Sequence, residues 1–221
     1  MSSLRIELHC HTYHSKDCLM HPEHVLKECT HKGIDRVAIT DHNAIEGAFE
    51  AATLDPDRVI IGEEIMTTDG ELLGYYMKTL VPPDLTPLEA ISRLRAQDAF
   101  ISVAHPFDYT RHGAWKRDAL LEILRLVDAI EVFNARTWSS TANQLAADVA
   151  SSEGILGTVG SDAHAAYEIG RAVMITPDFN DPDSMRLALT NAQIHARRSS
   201  PIVHLFSRYA TFRKALGWRP K

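Results

Sequence analysis

Eight short apolar runs recur along the chain, and helical stretches separate most of them. They cover residues 4–9, 35–40, 58–65, 71–77, 99–105, 129–134, 155–161 and 171–176. Between them, "HPEHVLKECTHKG" has a proline near its start and a glycine at its end, the usual helix asymmetry. "TPLEAISRLRAQ" predicts a capping box, with Thr86 at the N-cap, Pro87 next and Glu89 at the third position. "RDALLEILRLV", "TANQLAADVASSEG" and "DPDSMRLALTN" read as further helices, and the C-terminal stretch predicts one over about 201–216. Strand alternating with helix predicts an α/β fold with mainly parallel strands. About seven such units predict a compact barrel, smaller than the ~250 residues of a full eight-unit barrel. An open doubly wound sheet is the alternative, but neither GxGxxG nor GxxxxGK[ST] is present.

Six of these runs end in polar residues of ligand or charge-binding type, always at the carboxyl end. His9 and His11 end the first, Asp41 and His42 the second, Glu63 and Glu64 the third. His105 ends a fourth, Asn134 and Arg136 a fifth, and Asp162 and His164 a sixth. A strand alternates faces, so His9 and His11 are expected to point one way and Cys10 the other. In parallel α/β architectures the carboxyl ends of strands converge on one face, where sites are built. One such residue says little; six on one side predict a metal site. The five histidines and the carboxylates exceed the ligand set of one ion, since zinc takes about four. Two or three divalent ions are expected, and mixed imidazole and carboxylate donors suit Zn²⁺, Mn²⁺ or Fe²⁺.

The chain has 221 residues, 45% hydrophobic and 24% charged, with a formal net charge of −6. That composition suits one core and a single domain over 1–221. Basic residues do not cluster before the C-terminal tail, so long nucleic-acid contacts are not expected, short ends apart. Cys10, Cys18 and Cys29 have neither an even count nor a CxxC spacing, which reads as reduced thiols. With no apolar h-region at the start and no run near ~18 apolar residues, a cytoplasmic protein without membrane association is expected.

"ELHCHTYHSKD", "AITDHN", "GEEI", "AHPF" and "GSDAH", in that order, resemble the motifs of the PHP family, the polymerase and histidinol phosphatase domain. The resemblance runs from about residue 5 to residue 176. It implies a distorted (β/α)7 TIM-like barrel with a di- or trinuclear metal site at the C-terminal ends of the strands, and phosphoester hydrolysis as the activity. Carried over by position, it implies His9, His11, Asp17, His42, Glu64, His105, Asp162 and His164 as ligands. Asp17 has the family's spacing after the second histidine, whereas His14 is too early and reads as a substrate-facing or solvated loop residue. Glu63 is expected on the opposite side of its strand from Glu64. One departure stands out: "GELLGYY" has Glu71 where many members carry a histidine. Glu71 is then either an oxygen ligand or a surface residue at a strand start.

The resulting expectation is a metal-dependent phosphoesterase acting on a small phosphomonoester. Bound ions would make hydroxide available near neutral pH. With three ions, the ligand carboxylates would leave the pocket at roughly +2 to +3, a place for phosphate in an acidic protein. Arg136 is expected as a phosphate fork, with Arg171 as a second candidate. Asp162 is expected to be essential for turnover, and His14, Tyr13 or His112 to bind substrate or protonate the leaving group. The rival readings are a phosphodiesterase or nuclease, an amidohydrolase-type enzyme attacking a carbonyl, and a non-catalytic metal-binding module.

Overall fold

All eight apolar runs form strands in the computed structural model, which describes residues 3–220. They are β1 (Ser3–Cys10), β2 (Arg36–Ile39), β3 (Val59–Met66), β4 (Glu71–Tyr75), β5 (Phe100–Val103), β6 (Ala129–Asn134), β7 (Leu156–Gly160) and β8 (Ala172–Pro177). A ninth, β9 (Gln193–Ala196), has no counterpart among the apolar runs. It is short and largely exposed, an edge strand with little apolar signal. The helices are α1 (Pro22–His31), α2 (Glu46–Leu54), α3 (Pro87–Arg95), α4 (Arg117–Ile123), α5 (Ser140–Glu153), α6 (Pro182–Leu189) and α7 (Val203–Ala215). The capping box at Thr86 and Glu89 forms, and Gly154 closes α5 in the left-handed conformation. Among the described residues no helix is long and apolar enough to cross a membrane.

The strand order is β7-β6-β5-β4-β3-β2-β1-β8-β9. β1, β2 and β3 are parallel, as are β5, β6 and β7. The first seven strands curl into a nearly closed barrel. At its upper end β1 meets the segment after β7, through Asp162 N–H to the His9 carbonyl (2.8 Å) and His11 N–H to the Ala163 carbonyl (3.0 Å). The lower half of β1 pairs antiparallel with β8 instead. The seven-unit distorted barrel is therefore present, with β8 and β9 as an added flank.

The expectation of mainly parallel strands needs correction at β4 as well as at the antiparallel β8–β9 flank. β4 runs antiparallel to both β3 and β5. Only Thr67–Gly70 lies between β3 and β4, and Thr67 N–H closes that turn on the Gly70 carbonyl at 2.8 Å. A parallel crossover needs about a dozen residues or more, so so short a link permits only a hairpin. The reversal brings the first residue of β4, Glu71, to the rim where the parallel strands end.

The main core lies within the barrel and beneath its outer helices, with Leu73, Tyr75, Phe100 and Ile101 fully buried. A smaller core between β1–β2 and helices α1 and α2 holds Cys10, Cys18 and Cys29, all buried and free.

Candidate metal centre

The upper rim of the barrel gathers side chains from every strand of the first seven. His9 and His11 point inward from β1 and its end, while Cys10 between them faces the smaller core. His9, His11, Glu64 and Asp162 are wholly buried. Glu64 sits at the middle. Its Oε2 lies 3.2 Å from His9 Nε2, 3.4 Å from His11 Nε2 and 3.0 Å from His42 Nδ1, and its Oε1 lies 2.9 Å from His105 Nε2. Asp162 Oδ1 is 3.3 Å from His11 Nε2. Asp17, on the loop after β1, reaches His164 Nε2 at 3.2 Å and His42 Nε2 at 3.7 Å. Glu71 lies 3.4 Å from His105 Nε2 and 3.7 Å from His42 Nδ1 and is buried, so it is no surface residue.

Three triads in this cluster have ligand atoms close enough to hold an ion: His11, His42 and His164; His9, His11 and Glu64; His42, Glu64 and Glu71. Each pair of triads shares one residue, so the three positions form a closed set. The atoms His9 Nε2, His11 Nε2, His164 Nε2, Asp17 Oδ1, Glu64 Oε2 and Asp162 Oδ1 are buried without a hydrogen-bond partner. Unpaired buried polar atoms are costly and rare. Six around one point, all good donors to a divalent cation, fit a metal cluster.

The chain also fixes the imidazole tautomers that such a cluster requires. His9 Nδ1 donates to Glu131 Oε1 at 3.0 Å, which leaves Nε2 unprotonated. His11 Nδ1 donates to the Ser15 hydroxyl at 3.1 Å, and that hydroxyl donates to Asp41 at 2.6 Å. Asp41 thus acts behind the cluster: it also accepts from Thr12 and Ser15 N–H and so shapes the loop that carries Asp17. His105 and Asp162 have φ of 28° and 53°, sparsely populated values for residues other than glycine. Strain of this kind, of order 1–3 kcal/mol, persists where the surroundings over-determine it, typically at functional sites.

With only protein groups facing one another, acids and bases pair. Burial alone would raise Glu64 and Asp162, but His9 and His42 beside the first, and Arg111 and His9 beside the second, hold both well below the usual carboxylate range. Burial likewise works against Asp17, which His164 and His42 bring down. Burial would lower His42, but Glu64 and Asp17 lift it to about 10. His11 moves down, through burial and the neighbouring His164 and His42. Burial and the nearby Glu64 push Glu71 up to about 7.

Two residues expected to act in catalysis are engaged by protein partners. Arg136 is buried, but its guanidinium is not free to fork onto phosphate. Nε faces Glu168 at 3.1 Å, and Nη2 donates to the Val203 carbonyl (2.8 Å) and the Ser207 hydroxyl (2.9 Å) on α7. It lies 2.8 Å from His164 Nδ1 and so ties α7 to the rim. His14 turns away to Glu50 on α2, at 3.1 Å, and Tyr13 donates to the same carboxylate at 2.6 Å. Neither Tyr13 nor His14 lines the cleft over the cluster, whereas His112 does.

Sequence reasoning missed Arg111 and Glu131. Arg111 Nη2 lies 2.7 Å from Asp162 Oδ2 and 3.1 Å from the Asn134 amide oxygen, and Nε donates to Asp108 at 3.2 Å. Its only signal was a basic residue in the loop after His105. Glu131 receives His9 with one oxygen, and His105 N–H (2.8 Å) and the Asn134 amide (3.0 Å) with the other. An acid inside the apolar run "AIEVFN" could have flagged it. Glu131→Gln is expected to weaken metal binding by about 10–100-fold, the usual effect of losing such a support, with the fold retained. Competition titration with a chromophoric chelator measures it.

Glu63 does point away from Glu64, as expected. It is buried, and Oε2 accepts Val81 N–H at 2.9 Å. Burial first, then Glu46, raises its pKa from 4.5 to about 8, against the Val81 hydrogen bond. The folded state therefore holds this proton more tightly than the unfolded chain. The stability it contributes is full below about pH 4.5 and is lost as pH rises to about 8. Thermal midpoints of wild type and Glu63→Gln should diverge across that range, with the variant gaining relative stability toward alkaline pH.

Fold and cluster together define a distorted α/β barrel with a histidine and carboxylate rim suited to several ions. The chain belongs to the PHP domain family: the family model matches residues 7–131, and a PHP-associated model matches residues 140–194. An uncharacterized protein of Methanocaldococcus jannaschii is 34% identical over 188 residues, covering 82% of this chain and 75% of that protein. PsfC from Pseudomonas syringae has a similar structure, with a TM-score of 0.70 at 16% identity, covering 98% of this chain and 100% of that one. A Bacteroides vulgatus two-domain protein, described as containing a predicted PHP-like metal-dependent phosphoesterase, aligns with a TM-score of 0.72 at 17% identity. That match covers 89% of this chain but only 65% of the other protein.

Proposed function

We propose that this protein is a metal-dependent phosphoesterase acting on a small phosphomonoester. The supporting observation is the set of six unpartnered buried ligand atoms around Glu64, with the Arg111 guanidinium at its edge. His9, His11, Glu64 and Asp162 would hold one ion, Glu64, Glu71 and His105 a second, and Asp17, His42 and His164 a third, with the Glu64 carboxylate shared between the first two. Bound there, divalent ions would supply acidified water and polarise the phosphoryl oxygens.

The chain's own residues do the rest. Glu131 and Ser15 keep His9 and His11 in the tautomers that leave Nε2 free. Arg111 lines the cleft, and burial would lower its pKa, but Asp162 and Asp108 keep it raised and charged. It takes the phosphate-binding role first expected of Arg136. His112 and Lys16, also on the cleft, are placed to bind substrate or the leaving group. The cleft is about 270 Å³, and His204 and Ser207 of α7 form one wall, which suits a small substrate head.

The test is phosphate release by metal-stripped protein given Mn²⁺ or Zn²⁺, over a panel of phosphomonoesters. Metal-dependent release, abolished in Asp162→Asn, is the expected result. Silence with metal bound would overturn it and favour diesters next, then carbonyl substrates or a non-catalytic module.

A further inference from the structure

Beside the metal cleft lies a second cavity, of about 430 Å³, whose lining holds three arginines and no carboxylate. It is formed by the loop after β6, the start of β8 and the segment after β9. Main-chain hydrogen bonds lock these pieces together: Ser199 N–H to the Ala135 carbonyl at 2.7 Å, and Arg197 N–H to the Arg171 carbonyl at 2.8 Å. Arg198 Nη1 donates to the Trp138 carbonyl at 3.0 Å.

Three residues of this lining carry side-chain donors that lack acceptors. Arg171 Nε, Ser199 Oγ and Thr137 Oγ1 are each buried without a hydrogen-bond partner, and all three residues line the cavity. Arg136, the third arginine, is neutralised by Glu168, whereas Arg171 has no ion pair among the described residues. Buried donors left unpaired are costly and rare. Two uncompensated guanidinium groups beside hydroxyl donors match a tetrahedral oxyanion, which offers only acceptors and a negative charge.

The cavity is also placed to serve the cleft. Arg136, Trp138 and His204 border both, and the Trp138 and His204 rings stack at 4.5 Å with planes 8° apart to form the shared wall. We infer that the cavity is a second anion subsite, binding a phosphate group of the substrate other than the one hydrolysed, so that the preferred substrate carries two. The link to substrate rests on the phosphoesterase reading; the anion site itself does not.

The experiment therefore has two arms. Inorganic phosphate is titrated into the metal-stripped full chain, with tryptophan fluorescence and calorimetry as readouts. Saturable binding is expected, weakened at least ~10-fold in Arg171→Gln and severalfold in Thr137→Val, the order expected for a charged and a neutral hydrogen bond. Absent binding, or equal affinity in folded Arg171→Gln, overturns the subsite, whether or not the protein hydrolyses anything. In the second arm, kcat/KM for fructose 1,6-bisphosphate is compared with that for fructose 6-phosphate in metal-loaded protein. A wild-type preference for the bisphosphate is expected, lost in Arg171→Gln through a raised KM for the bisphosphate with its kcat retained. Phosphate binding without that preference overturns the assignment to substrate.

Discussion

Glu64→Gln is expected to lower metal-dependent turnover by about 10²–10³-fold, the scale seen when one preorganised electrostatic group is removed from a reacting centre. The reason is its position. One carboxylate faces four imidazoles, those of His9, His11, His42 and His105, and belongs to two of the three candidate ion triads. Glutamine keeps the shape but removes the charge, and it turns an amide N–H₂ toward one set of imidazoles. Bound metal per chain should fall together with activity, while the far-ultraviolet circular dichroism stays that of the wild type. Elemental analysis of the purified variant separates the possibilities. Full metal content with full activity would show that the ions, if present, sit elsewhere.

Gly160→Ala should act through the frame that aims His9. Gly160 ends β7 directly against β1. A methyl group there would overlap His9 Cβ and lie 2.5 Å from Glu131 Oε1. Neither neighbour can give way: His9 is wholly buried, and Glu131 is held by His9, His105 N–H and Asn134. Forcing a methyl into such packing costs about 1–3 kcal/mol. For a chain of this length that lowers Tm by roughly 2–12 °C. The larger consequence is chemical, because the methyl pushes apart the His9–Glu131 pair that sets the tautomer. Activity should fall further than stability. Assay well below the variant's Tm, with calorimetry on the same sample, tells the two apart, and an unchanged Tm would contradict the close packing.

Much of this site could be read before any fold was known. Period-two alternation put His9 and His11 on one side of β1 and Cys10 on the other, and the structure keeps that division. The habit of ending strands in ligand-type residues marked His42, Glu64, His105, Asp162 and His164, because strand direction alone decides which end of a barrel they reach. Asp17 lies on a loop and came only through motif spacing.

Other features depended on contacts between distant parts of the chain. Glu71 begins its strand, and only the hairpin reversal of β4 turns that beginning toward the rim. Arg136 was legible as a fork and Arg111 was not, because a guanidinium's partners are set by what packs over it. The C-terminal helix α7 takes up Arg136, while the loop after His105 swings Arg111 onto Asp162. Lys214 of α7 further holds the Tyr13 and Ser15 carbonyls on the loop that carries Asp17. The sequence by itself determined the alternating α/β class, the ligand types and the end at which they gather, since local periodicity and strand polarity carry that information. Tertiary packing alone decided which charges stay free to meet a substrate, because a charged side chain spends itself on whichever buried partner lies nearest, and nearness across the fold is not written in local spacing.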